Sequence, residues 1–239
     1  MTLTGYRRSD GRVGFRNHLV ILPTSVCASE AAVRIAEEVS GAVALPHQHG
    51  CCQMGEDYRQ TLRTLVGLAS NPNVGAVLVV GLGCEGIQAE TVREEIAAAG
   101  TRVAGLVIQE HGGTRGTVAE GVRLATEMAA ELARTERVPC EVSDIVLGLE
   151  CGGSDPTSGI ASNPAVGVAS DLLIDAGGLR FSRRPPSSSG RSTSSRGAPW
   201  TRALPRGFSK WWREPRSTRV LPAPTCGGAS RHPETSPGA

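Results

Sequence analysis

Four short segments of the 239-residue chain combine glycine with groups that move protons or bind metal. "HQHGCCQMGED" holds His47, His49, Cys51, Cys52, Glu56 and Asp57. "GCEGIQ" holds Cys84, Glu85 and Gln88, and "EHGGT" holds Glu110 and His111. "ECGGSD" holds Glu150, Cys151, Ser154 and Asp155. Thiol, imidazole and carboxylate together suit Zn²⁺ or Fe²⁺, whereas an all-oxygen Mg²⁺ site needs no thiol. The same side chains serve as general acids and bases. No C-x₂-C pair is present, so an open catalytic site is expected over a closed structural zinc site.

These segments follow apolar runs that need positioning in a fold. "HLVILPTS", "AVALP", "NPNVGAVLVVGL", "RVAGLVIQ" and "DIVLGL" read as strands without in/out alternation. Between them "ASEAAVRIAEEV", "EDYRQTLRTLVGLA", "AETVREEIAAAG", "TVAEGVRLATEMAAELAR" and "NPAVGVASDLLIDAGG" carry the helical period. Gly100 stands where the third of these helices should end. Strands of this kind, each followed by a helix, predict an α/β fold with a mostly parallel sheet and helices on both faces. In such a sheet ligands sit beyond the carboxyl ends of the strands. All four segments are then expected at one edge, which makes them one site rather than four separate buried thiols and structural histidines.

Other readings are weaker. "GLGCEG" has a misplaced third glycine and no ribose-binding acid at the usual distance, so a dinucleotide site is disfavoured. The N-terminal "GYRRSDGRVGFRN" gathers Arg7, Arg8, Arg12 and Arg16. Residues 1–178 nonetheless hold 13 Arg against 21 acids, net −8, with three aromatics, which argues against nucleic acid. Arginine forks near glycines suit carboxylates, so an acidic small molecule is the expected substrate. No apolar run has the length of a membrane span and the N-terminus lacks an apolar signal segment; a cytoplasmic protein without membrane contact is expected.

"GYRRSDGRVGFRN", "HQHGCCQ", "NPNVGAVLVVGLGCE", "VIQEHGGT" and "LECGGSDPTSGIASNPAVGVASD" together resemble the altronate/galactarate dehydratase family, which includes the large subunit of sulfolactate sulfo-lyase. The resemblance runs through nearly all of residues 5–178, with residues 1–139 as the family's second domain and 140–178 as the start of its C-terminal domain. It implies an iron-dependent lyase, with Fe²⁺ or else Mn²⁺, that dehydrates a hydroxylated sugar acid to a 2-keto-3-deoxy acid. It implies metal ligands among His47, His49, Cys51, Cys84 and Cys151, and acid/base groups among Glu85, His111, Glu150 and Asp155. Arg12, Arg16, Asn17, Ser154 and Asn163 complete the expected substrate-binding set. A separate small N-terminal-module subunit and a homo-oligomer are the implied partners. Cys52 departs from the family pattern, which has a small glycine there.

Residues 179–239 carry 11 Arg and one Lys against two Glu, net +10, and are rich in Ser and Pro. The composition predicts a disordered tail. The resemblance stops at Gly178, and a shifted frame of compatible codons encodes a strand, a turn and a helix start. The expectation is a reading frame lost at Gly178, no regular structure from residue 179 on, and an inactive or poorly soluble chain.

Overall fold

The computed structural model describes residues 3–150 and 155–182. The chain opens on a hairpin of β1 (Leu3–Arg7) and β2 (Val13–Gly14). An α/β unit follows: β3 (His18–Pro23), α1 (Val26–Glu38), β4 (Ala42–Ala44), α2 (Gly55–Ala69), β5 (Val74–Gly81), α3 (Ala89–Ala98), β6 (Arg102–Val107) and α4 (Thr114–Leu132). β7 (Val138–Cys140), β8 (Val146–Leu149), α5 (Asn163–Asp175) and β9 (Leu179–Ser182) complete the described chain.

The main sheet has the order β4-β3-β5-β6 and is parallel throughout. β5 lies in its interior and is buried over nearly its whole length, which explains its unbroken apolar sequence. Alternate residues of the strands serve opposite faces. Leu19, Ile21, Ala76, Leu78 and Val80 pack with Ala28, Ala31, Ala32 and Ile35 of α1 and Ala125 and Met128 of α4. Val20, Leu22, Val77 and Val79 pack with Leu65, Val66 and Ala69 of α2 and Val92 and Ile96 of α3. The expected two-faced parallel sheet is present. Burial of each large side chain, such as Ile21 or Leu78, contributes about 1.5–3 kcal/mol. α3 ends as its sequence foretells: Gly100 has φ +83°, its N–H donates to Ala97 O, and Thr101 N–H reaches Ile96 O. That is a Schellman closure, in which glycine accepts the left-handed turn without strain.

Two features depart from the sequence reading. The arginine-rich N-terminus, read for its guanidinium groups and not as a strand, pairs: β1 is antiparallel with β2 and with β7 in a three-stranded sheet. Its sequence hid this because β2 is two residues long and the partner β7 lies some 130 positions away. Tyr6 of β1 has the guanidinium groups of Arg8 and Arg137 over its ring, at 5.7 and 5.1 Å from the centroid. Secondly, β8 does not join the main sheet. It pairs parallel with β9 in a separate two-stranded sheet.

The expected structureless tail is therefore overturned at its start. Leu179–Ser182 is a strand in register with Val146–Leu149, because ladder hydrogen bonds come from the backbone and need no particular side chains. Residues 183–239 lie outside the described residues. Around this small sheet Val146, Ile160, Val168 and Leu172 are each more than 60 % exposed, while Ser170 of α5 is buried. The apolar face of this segment has no cover among the described residues.

Candidate functional site

The order β4-β3-β5-β6 reverses direction between β3 and β5, and the turns beyond these two strands lie side by side at the carboxyl edge. Backbone and side-chain bonds tie them together. The Glu85 carboxylate, 2 % exposed, accepts from Thr24 Oγ1 at 2.8 Å, from Leu82 N at 3.0 Å and from Gly83 N at 2.5 Å. Thr24 N in turn donates to Val80 O at 3.0 Å. Ser25 Oγ, buried beside it in sequence, has no hydrogen-bond partner among the described residues.

The turn after β4 closes over the same point. Val26 N donates to His49 O at 2.9 Å, and Ile87 N donates to Gly50 O at 3.4 Å. Gly50 N donates to Gln53 Oε1 at 2.9 Å. The turn after β6 joins through Gln109 N, which donates to Leu82 O at 3.1 Å. Three of the four chemistry-bearing segments thus share one edge. The fourth, beginning at Glu150, follows β8, and parallel pairing does not carry it there.

Within this frame the side chains sort by what they touch. His47 has both ring nitrogens engaged: Nε2–H donates to Pro23 O at 2.8 Å and Nδ1 accepts from His49 N at 3.2 Å. That ring braces the turn. His49 stacks on it at 6.2 Å between centroids. His111 donates from Nδ1 to Val107 O at 2.9 Å, so its neutral form is the tautomer with Nε2 as acceptor. Glu85 likewise spends its oxygens on the turn.

Cys27, Cys51, Cys52 and Cys84 are all exposed. The Cys51 and Cys52 sulfurs lie 3.6 Å apart. The Cys51 thiol is held above its ordinary range, first by its hydrogen bond with Cys52 and then by Cys52's charge, with smaller repulsion from Cys27 and Cys84. Cys27, at the start of α1, was not singled out from sequence, nor were Thr24 and Ser25. Only their place directly after the apolar run of β3 could have signalled them.

Among the described residues no three His, Cys, Asp or Glu side chains are grouped so as to hold a metal ion. His47, His49, Cys51 and Cys84 share an edge but do not form a ligand set, because His47 is committed to the backbone and the Cys51 thiol to Cys52. Cys151 and Ser154 lie outside the described residues. With Cys151 outside the described residues, the described donors alone do not make a ligand set for the expected iron.

The expected carboxylate-binding residues lie elsewhere. Arg12 donates to Ser70 O at 2.8 Å, and Arg16 N and Phe15 N donate to Asn73 Oδ1. Asn17 donates to Leu132 O and accepts from Arg8 at 2.9 Å. Residues 70–73 lead into β5 and Leu132 ends α4, so this cluster sits at the amino edge, across the sheet from the strand-end turns. These residues lock the hairpin to the sheet. A cleft of about 250 Å³ lined by Tyr6, Asn17, Leu19 and Leu132 opens at the same edge.

Glu150 and Asn163 are exposed, Asn163 at the first position of α5. Asp155 accepts from Thr157 Oγ1 at 2.5 Å and from Thr157 N at 2.6 Å, and these bonds hold its carboxyl below the usual carboxylate range. A depressed folded value makes its contribution to stability full above the unfolded pKa and lost as pH falls through the folded one. In Thr157→Val the Asp155 titration, followed by carboxyl NMR, is expected to move up toward the ordinary value. An unmoved midpoint would show that Thr157 does not set it.

Cys52 occupies the left-handed region at φ +56°, alone among described non-glycine residues. This is the position at which the resemblance leads one to expect glycine. Cys52→Gly is expected to raise the unfolding free energy by about 1 kcal/mol, because glycine relieves the left-handed strain. Urea unfolding checks this, and a loss of stability would mean that the thiol contact outweighs the strain.

The family model for the D-galactarate dehydratase/Altronate hydrolase second domain matches residues 5–133, and that for the D-galactarate/Altronate dehydratase C-terminal region matches 142–184. The chain is 41% identical over 178 residues to the (2R)-sulfolactate sulfo-lyase subunit beta of Chromohalobacter salexigens, covering 74% of this chain and 44% of that protein. It is 37% identical over 184 residues to the altronate dehydratase of Escherichia coli, covering 72% and 37%. It is 35% identical over 197 residues to the galactarate dehydratase (L-threo-forming) of the same organism, covering 74% and 38%. The chain spans less than half the length of each of these relatives. With more than half of its residues matched by the second-domain model alone, the chain belongs to the D-galactarate dehydratase/altronate hydrolase family.

Proposed function

We propose that this chain is the large-subunit portion of a lyase that removes water from a hydroxylated sugar acid to give a 2-keto-3-deoxy acid. The observation that carries the reading is the joining of three strand-end turns at the topological switch point, with His111 Nε2 open and thiols exposed along the same edge. The relatives named as altronate and galactarate dehydratases support the reaction class.

In this reading His111 Nε2 takes the proton next to the substrate carboxylate, since its other nitrogen is held protonated by Val107 O. Glu150 and Asp155, on the segment after β8, are proposed as further acid/base groups on the strength of the resemblance, with Asp155 kept ionised by Thr157. Glu85 acts by holding the Thr24 and Gly83 turns together. Iron dependence remains part of the proposal, carried by the resemblance alone. A separate small subunit is proposed on the same footing, supported by the description of one relative as a subunit beta.

The second reading is a non-catalytic, sugar-acid-binding fragment. It is favoured by the apolar face around α5, which has no cover among the described residues. Anaerobic assay of the chain, with Fe²⁺ and a small partner subunit, against altronate, galactarate and sulfolactate separates the two. Formation of 2-keto acid that is lost in His111→Gln supports the lyase. No product with any of the three, alongside retained sugar-acid binding, supports the fragment. The frame-loss proposal is decided by resequencing: an intact frame through codon 239 ends it.

A further inference from the structure

Cys51 and Cys52 place two exposed thiols on adjacent residues, with sulfurs 3.6 Å apart and nothing but each other as side-chain hydrogen-bond partners shown. The backbone that brings them together is held by its surroundings. Gly50, just before the pair, is fixed by bonds to Gln53 and Ile87, and Gln53 follows it directly. Cys52 takes φ +56°, a conformation that a β-carbon resists, so the turn imposes the geometry on the thiol rather than the reverse.

We propose that Cys51 and Cys52 form a vicinal dithiol that a peroxide oxidises reversibly to a disulfide between neighbouring residues. One sulfur attacks the peroxide: an S–O bond forms, the O–O bond breaks, and the leaving oxygen departs as water after protonation. The second sulfur then attacks the sulfenic sulfur, forming S–S and breaking S–O, with a second water released. Two thiols are oxidised by two electrons and one peroxide is reduced to two waters. Consecutive α-carbons lie about 3.8 Å apart. That is short of the roughly 4.4–6.8 Å usual for a disulfide, so the closed ring is strained and readily reopened by a dithiol. Such a bond is a switch and not a staple. Its closure withdraws both thiols from the edge that also presents Cys27, Cys84 and the open nitrogen of His111.

The test uses the full chain. Reduced protein is treated with an equivalent of hydrogen peroxide, quenched with N-ethylmaleimide and digested with trypsin. The peptide from Ile35 to Arg59 contains no other cysteine. The proposal expects this peptide unlabelled and lighter by two hydrogens than its dithiol form, and doubly labelled again after dithiothreitol. In Cys52→Ser the peptide is expected to carry a sulfenic acid or a label at Cys51, with no internal crosslink. Recovery of the wild-type peptide with both cysteines labelled overturns the proposal. So does its recovery joined to the peptide of Cys27, Cys84 or any other cysteine.

Discussion

Glu85→Ala is expected to lower the unfolding free energy by roughly 3–5 kcal/mol, among the largest single effects available in this chain. The carboxylate is 2 % exposed and takes three donors, the Thr24 hydroxyl and the amides of Leu82 and Gly83. Truncation leaves these donors without an acceptor in a place water barely reaches, at about 1–3 kcal/mol each, partly relieved by local shifts. Two further variants separate the causes. Glu85→Gln keeps one acceptor oxygen and is expected to cost about half as much, because its amide hydrogens face a donor. Thr24→Val removes one donor while keeping the shape, and is expected to cost about 1 kcal/mol. Urea unfolding followed by far-UV circular dichroism reads all three. If Glu85→Ala is as stable as wild type, the carboxylate does not hold the two turns, and its place among the proton-moving candidates regains force.

The second large effect is expected at Gly50. A β-carbon there would sit 2.0 Å from Thr24 O and 2.8 Å from the Ser25 α-carbon, and the residue has φ +93°. Backbone atoms cannot swing aside as a side-chain tip can. Gly50→Ala therefore adds a collision to left-handed strain, for roughly 2–5 kcal/mol in total. Gly55→Ala is the control. It has φ +58° but open space around its α-carbon, so only the strain of about 1 kcal/mol applies. The turn after β4 is expected to lift off the edge in Gly50→Ala, breaking the Val26–His49 and Ile87–Gly50 bonds. Protection of the Val26 and Ile87 amides from hydrogen exchange should fall accordingly. Equal losses for the two glycine variants would show that the close approach does not govern the turn.

Much of the parallel sheet was legible from local pattern. The apolar runs at 18–23 and 74–81 are strands because residues covered on both faces show no alternation, and that signal is contained in the run itself. The end of α3 was legible at Gly100 for an equally local reason, since a left-handed turn selects glycine. The turns after β4, β5 and β6 reached a common edge because parallel pairing forces every strand to end on the same side. Residue types and chain direction were enough to gather His49, Cys51, Cys84 and His111 there.

What each side chain touches was settled only by tertiary structure. Sequence reads Arg12, Arg16 and Asn17 as neighbours of glycine suited to a substrate carboxylate, but Arg12 pairs with Asp10 and Ser70 O, the Arg16 amide with Asn73, and Asn17 with Arg8 and Leu132 O. Those contacts depend on the β1–β7 pairing, which no local period announces. His47 and Glu85 have the types of a ligand and a base. Their neighbours in space, Pro23 O for one and Thr24 with two amides for the other, make them braces. β8 carried the same apolar signature as the other strands, yet among the described residues it pairs only with β9 and Val146 stays exposed. Hydrophobic pattern marks a strand; which strand it lies beside, and what covers it, depends on chain connection and on partners far along the sequence.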